Sequence, residues 1–152
     1  MRKVLYAIVL LAIILVAGCE ENPSNPAGQP IVGTWTATTV GEAFAPATSM
    51  EVEFKSDGTF MMETSGIVVT GTYTTTGSSA SSSIRSITIN ATTPASATMT
   101  GIYRISGSQM ELEVVEAPLP VGVVGPDAAD GIGSTTVNGT ATNDYVSVLV
   151  KQ

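Results

Sequence analysis

Met50-Glu51-Val52-Glu53-Phe54-Lys55-Ser56-Asp57-Gly58-Thr59-Phe60 is the stretch on which the fold turns. Up to Lys55 the apolar side chains occupy even positions and the charged ones odd positions. That period of two places alternate side chains on opposite faces of a strand. Asp57-Gly58 then supplies the residues that a tight hairpin with φ > 0 demands. The segment therefore reads as two strands, 49–56 and 58–65, joined by a turn. Gln109-Met110-Glu111-Leu112-Glu113-Val114 repeats the alternation. Met50, Val52, Phe54, Met110, Leu112 and Val114 are expected to face a core. Glu51, Glu53, Glu111 and Glu113 are expected to face water.

Outward from these hairpins the chain is rich in Thr, Ser, Val, Ile and Gly and carries no helix-period stretch of useful length. Further strands are expected at 31–40, 67–76, 84–93, 97–106, 109–116 and 143–151, with another near 134–141. Gly77-Ser78-Ser79, Thr93-Pro94 and Gly107-Ser108 punctuate them, and 117–133 reads as a long loop rich in Pro, Gly and Asp. An internal repeat supports a hairpin meander: Gly71-x-Tyr73-x-x-x-Gly77-Ser78 recurs as Gly101-x-Tyr103-x-x-x-Gly107-Ser108. The expected fold is all-β, an antiparallel up-and-down β-barrel of about eight to ten strands, because closure removes exposed edges. A two-sheet sandwich is the rival, and the sequential hairpins favour the barrel.

The amino-terminal segment is of a different kind. Arg2 and Lys3 precede an apolar run from Val4 to Val16, interrupted only by Tyr6, and the run is too short for a span of ~20 residues. Residues 1–18 read as a secretory signal. Val16-Ala17-Gly18-Cys19 resembles the lipobox of bacterial lipoproteins, and that resemblance implies cleavage before Cys19 and diacylglycerol on its sulfur. Two or three acyl chains such as palmitate anchor a protein stably where one is marginal, since each buried CH₂ contributes ~0.8 kcal/mol. Residues 19–30 hold three prolines and a single apolar side chain, Ala27, besides the cysteine, and read as a flexible linker. The domain proper is 31–152. The expected address is the cell envelope, with the outer membrane, facing the periplasm or the cell surface, favoured over the inner one.

Removing Arg2 and Lys3 with the leader leaves four cations against 13 side-chain carboxylates, a net charge of −9. Such a chain repels nucleic acid and anionic lipid, so the membrane tie must be covalent lipid rather than basic side chains. The absence of histidine and the single, lipidated cysteine exclude Ser/His/Asp, Cys/His and His-based zinc chemistry. Asp127-Ala128-Ala129-Asp130-Gly131 lacks the alternating oxygen ligands of a calcium loop. No cofactor or metal is expected, and the chain is not expected to be an enzyme.

Ile31-Val32-Gly33-Thr34-Trp35 resembles the Gly-x-Trp opening of lipocalins and lipocalin-like bacterial domains. Phe54-Lys55-Ser56-Asp57-Gly58-Thr59-Phe60, Gly71-Thr72-Tyr73 and Gly101-Ile102-Tyr103 are similar to hairpin and strand motifs of such domains. The resemblance implies a barrel closed at one end by Trp35, often beneath an arginine of the last strand. Here that strand ends in Lys151 and has no arginine. It also implies a small hydrophobic ligand, for which Trp35, Tyr73, Arg85 and Tyr103 are the candidate contacts. Each has a plainer reading: Trp35 as a core plug, Tyr73 and Tyr103 as core residues with satisfied hydroxyls. Arg85 shares the parity of Ile87 and Ile89 and either reaches the rim or meets an anion. Two functions follow, a tethered ligand-binding barrel or a non-catalytic interaction protein with a filled barrel.

Overall fold

A computed structural model describes residues 30–77 and 83–152. The leader 1–18, Cys19, all of the 19–30 linker but its last residue, and Ser78 and Ser79 of the expected turn lie outside those residues.

Eight antiparallel strands close into a barrel: β1 Gly33–Thr39, β2 Met50–Phe54, β3 Thr59–Thr64, β4 Ile67–Thr76, β5 Ile84–Thr93, β6 Ala97–Ser106, β7 Gln109–Ala117 and β11 Val146–Lys151. Each pairs with its neighbour in sequence, and β11 lies between β7 and β1 to complete the circle. The three remaining strands, β8 Val123–Val124, β9 Thr136–Val137 and β10 Thr140–Ala141, form a small separate sheet. They belong to a long excursion between β7 and β11. Residues 117–133 are therefore not wholly a loop, since β8 lies within them. The strand expected near 134–141 is a short hairpin, because Asn138 and Gly139 both take positive φ, at 52° and 80°. Those are the angles of a two-residue turn favoured by Asn-Gly.

Local chemistry explains the other turns. In the β2–β3 hairpin Gly58 has φ 84°, and the Asp57 carboxylate accepts from the Thr59 amide at 2.9 Å and the Thr59 hydroxyl at 2.6 Å. Those two bonds hold the Asp57 acid below its ordinary range. Ser65-Gly66 joins β3 to β4 with φ of 48° and 83°. Ser65, expected in the strand, is thus a turn residue.

The alternation holds. Met50, Val52, Phe54, Met110, Leu112 and Val114 are all buried in one core with Trp35, Phe60, Met62, Tyr73, Ile87, Ile89, Met99 and Leu149. Four methionines among them fill irregular gaps between the aromatics. The void left inside is about 10 Å³, room for roughly one water at most.

One expected surface residue is not on the surface. Glu113 points away from the barrel core, as its parity requires, yet is 0% exposed. The excursion covers it: its two carboxylate oxygens accept the amides of Gly133 at 2.6 Å and Thr135 at 2.8 Å. Ile102 and Val115, also buried yet outside the barrel cluster, lie on the same outer face. The barrel wall thus carries a second thin layer, which alternation along a single strand cannot reveal. Glu51 is exposed, and Glu53 and Glu111 are partly so, beside Lys55 and Arg104.

Candidate binding site

Strand direction gives the barrel two distinct ends. The near end gathers the start of β1, the β2–β3, β4–β5 and β6–β7 turns and the end of β11. The far end gathers the β1–β2, β3–β4 and β5–β6 connections and the root of the excursion.

All four candidate contacts belong to the near end, and they close it. Trp35 is fully buried, and its indole N–H donates to the Ile31 carbonyl at 2.7 Å. Lys151 lies over the ring with its Nζ 5.2 Å from the centroid and donates to the Val32 carbonyl at 3.0 Å. The last strand thus lays a lysine, not an arginine, over the tryptophan, at a distance where a cation and an aromatic face attract. Tyr73 packs edge-on against Phe54 with centroids 4.8 Å apart and donates its hydroxyl to the Lys55 carbonyl at 2.8 Å. Arg85 and Tyr103 are paired across β5 and β6. Arg85 approaches the Tyr103 phenol beside Thr75, although neither buried hydroxyl completes a hydrogen bond of good geometry. Tyr73, Tyr103 and Arg85 are brought together, and Trp35 caps the same end, but among the described residues none of the four lines the interior void or the hollows described below.

Burial, reinforced by the neighbouring Tyr103 and Asp57, pushes the Tyr73 phenol well above its ordinary range. Burial also raises that of Tyr103, against the opposing charge of Arg85. A phenol that keeps its proton longer in the folded chain than in the unfolded one favours folding fully below its unfolded pKa of about 10 and loses that advantage as pH rises above it. Thermal unfolding followed by Trp35 fluorescence is therefore expected to fall steeply above about pH 10. In Tyr73→Phe the same fall is expected to be shallower, whatever its effect near neutrality.

The far end is built differently. A 3₁₀ turn at Glu42–Phe44 crosses it, held by the Gly41 amide donating to the Ser147 hydroxyl at 2.9 Å and the Glu42 amide donating to the Asp144 carbonyl at 2.6 Å. Between this strap and the ends of β3 to β7 lies a cup of about 270 Å³. Phe44, Met62, Val69, Ala97 and Met99 form its apolar wall, and Glu116 is its one ionisable group among the described residues. Sequence reasoning passed over these residues, though Glu116 shares the parity of Met110, Leu112 and Val114 and so belonged on the inward face. Phe44 was hidden in a connection without periodicity. Wider hollows of about 320 and 530 Å³ lie on the outer wall, lined by polar groups such as Thr36, Glu51 and Glu63 in one and Arg104, Gln109 and Glu111 in the other.

Among the described residues no three Asp or Glu side chains gather as metal ligands, and no helix is long and apolar enough to cross a membrane. Compared with known families, curated proteins and solved structures, the chain matches none of them.

Proposed function

We propose that this chain is a bacterial envelope lipoprotein with a lipocalin-like barrel, held to a membrane by acyl chains on Cys19. It acts by non-catalytic binding at the barrel end remote from that anchor. One observation carries the reading. The chain enters the barrel at the end plugged by Trp35, the interior is filled to about 10 Å³, and the apolar cup of about 270 Å³ opens at the opposite end. A linker joined to the near end leaves the cup on the side of the barrel remote from the tether. The filled interior weighs against a ligand held deep in the barrel and supports one held at the mouth.

A second reading is an interaction protein that docks a partner at the same end. Ile67 and Val68, 55% and 49% exposed on the β3–β4 hairpin, support it. Both readings share the anchor, and labelling tests it. Cells grown with radiolabelled palmitate should yield labelled wild-type protein and unlabelled Cys19→Ser. Wild-type protein without label, or with residues 1–18 still attached, would overturn the anchored reading.

A further inference from the structure

The cations are sorted along the barrel axis, although acids such as Glu53, Asp57 and Glu111 stand among them. Lys55 follows β2, Arg85 opens β5, Arg104 lies near the end of β6 and Lys151 ends β11, so every described Lys and Arg belongs to the near end. The far end holds Glu42, Glu116 and Asp144, with Glu51 and Glu63 paired on the wall just inside it. No described cation offsets them there. The Glu116 carboxylate makes no hydrogen bond or ion pair among the described residues.

We propose that the far-end cup is a binding site for a small organic cation with an apolar body, an alkylammonium-type amphiphile. Its hydrocarbon fills the cup between Phe44, Val69 and Met99, and its ammonium group meets the Glu116 carboxylate. The volume of 270 Å³ falls just below the ~300–1,000 Å³ of pockets for drug-sized ligands, which selects a short chain rather than a long lipid. The apolar wall supplies most of the affinity, since removing hydrocarbon from water is the main driving force for association. The charge supplies the choice between ligands. An anion entering the cup meets Glu116 and the acidic rim and finds no basic group; a cation meets an unpaired carboxylate. Because Glu116 is solvated, the preference is modest. One ion pair at contact distance in water sustains a ratio of about fivefold.

The cation site rests on the far-end binding reading and does not depend on the acyl anchor. The chain from residue 19 onward with Cys19→Ser keeps the whole closed barrel and needs no detergent. Octylammonium, octanol and octanoate are titrated into it while the methyl NMR signals of Ala91 and Ala97, which line the cup, are followed against Ala141 on the outer sheet. Saturable shifts at Ala91 and Ala97 are expected, with octylammonium about fivefold tighter than octanol and octanoate weakest. Glu116→Gln should bring octylammonium to the octanol level and leave octanol unchanged. Ala97→Leu, which fills the cup, should weaken all three, and unshifted melting curves will show that either variant is folded. Saturable binding without charge preference, or a preference that survives Glu116→Gln, would overturn the cation proposal alone. No saturable shift with any of the three would overturn it together with the small-ligand reading of the far end.

Discussion

Gly101→Ala is expected to lower the stability of the barrel by about 3 kcal/mol, the upper part of the range for forcing extra volume into a packed interior. Gly101 sits mid-strand on β6, opposite Val114 of β7. A Cβ there would lie 2.0 Å from the Glu113 carbonyl oxygen and 2.8 Å from the Val114 Cα. Both are backbone atoms in a hydrogen-bonded ladder, and neither can swing aside as a side chain would. Gly71 on β4 meets the same obstacle, 2.0 Å from the Asn90 carbonyl oxygen, where the β4–β5 register shifts. The repeated Gly-x-Tyr pattern thus has a steric cause. The glycine lets adjacent strands draw together inside the barrel, and the tyrosine two residues on fills the near end. Alanine also restricts the unfolded chain, an effect of ~0.4–1 kcal/mol in the other direction. Gly77→Ala, where an added Cβ meets nothing within 4 Å, isolates that effect and is expected to be neutral or slightly stabilising. Urea unfolding followed by Trp35 fluorescence measures both. Equal midpoints for Gly101→Ala and the wild type would refute the steric account.

The second large effect is expected at Glu113. In Glu113→Ala the amides of Gly133 and Thr135 lose their acceptors, and each buried donor so orphaned costs about 1–3 kcal/mol. The excursion can respond by peeling away rather than by unfolding the barrel. The expected result is local: hydrogen exchange at Gly133 and Thr135 speeds up about a hundredfold, equivalent to ~3 kcal/mol of lost local stability, while the amides of β2 and β3 hold. Glu113→Gln keeps one acceptor oxygen but turns an N–H donor toward the second amide, so an intermediate effect is expected. Uniform acceleration across β2, β3 and the excursion would show that this outer layer is part of one cooperative unit with the barrel. The Ser147–Gly41 bond at the far end is outside this latch, and the cup should survive the Glu113 variants.

The near-end residues teach how far local pattern reaches. Trp35, Tyr73, Arg85 and Tyr103 stood out as the contacts that the resemblance to lipocalins implies. Only Arg85 was placed by parity, with Ile87 and Ile89; Trp35, Tyr73 and Tyr103 are buried, and Arg85 is partly so. Whether an inward aromatic lines a cavity or plugs one depends on how tightly eight strands coil, and no window of sequence carries that. Glu116 shows the converse. Its inward parity was legible in 109–116, but a carboxylate on the core face looks like an error until the strand is seen to end at an open mouth.

Strand alternation, the Asp57-Gly58 turn and the repeated hairpins were enough by themselves to set an all-β up-and-down barrel and its inward residues, because side-chain parity and turn geometry are properties of neighbours in the chain. Only the tertiary structure decided that β11 closes on β1 and lays Lys151 over Trp35, that the excursion folds back to bury Glu113, and that Trp35 plugs one end while the other keeps a cup. Those outcomes depend on contacts between residues far apart in sequence, whose meeting is fixed by barrel closure and packing rather than by any local preference.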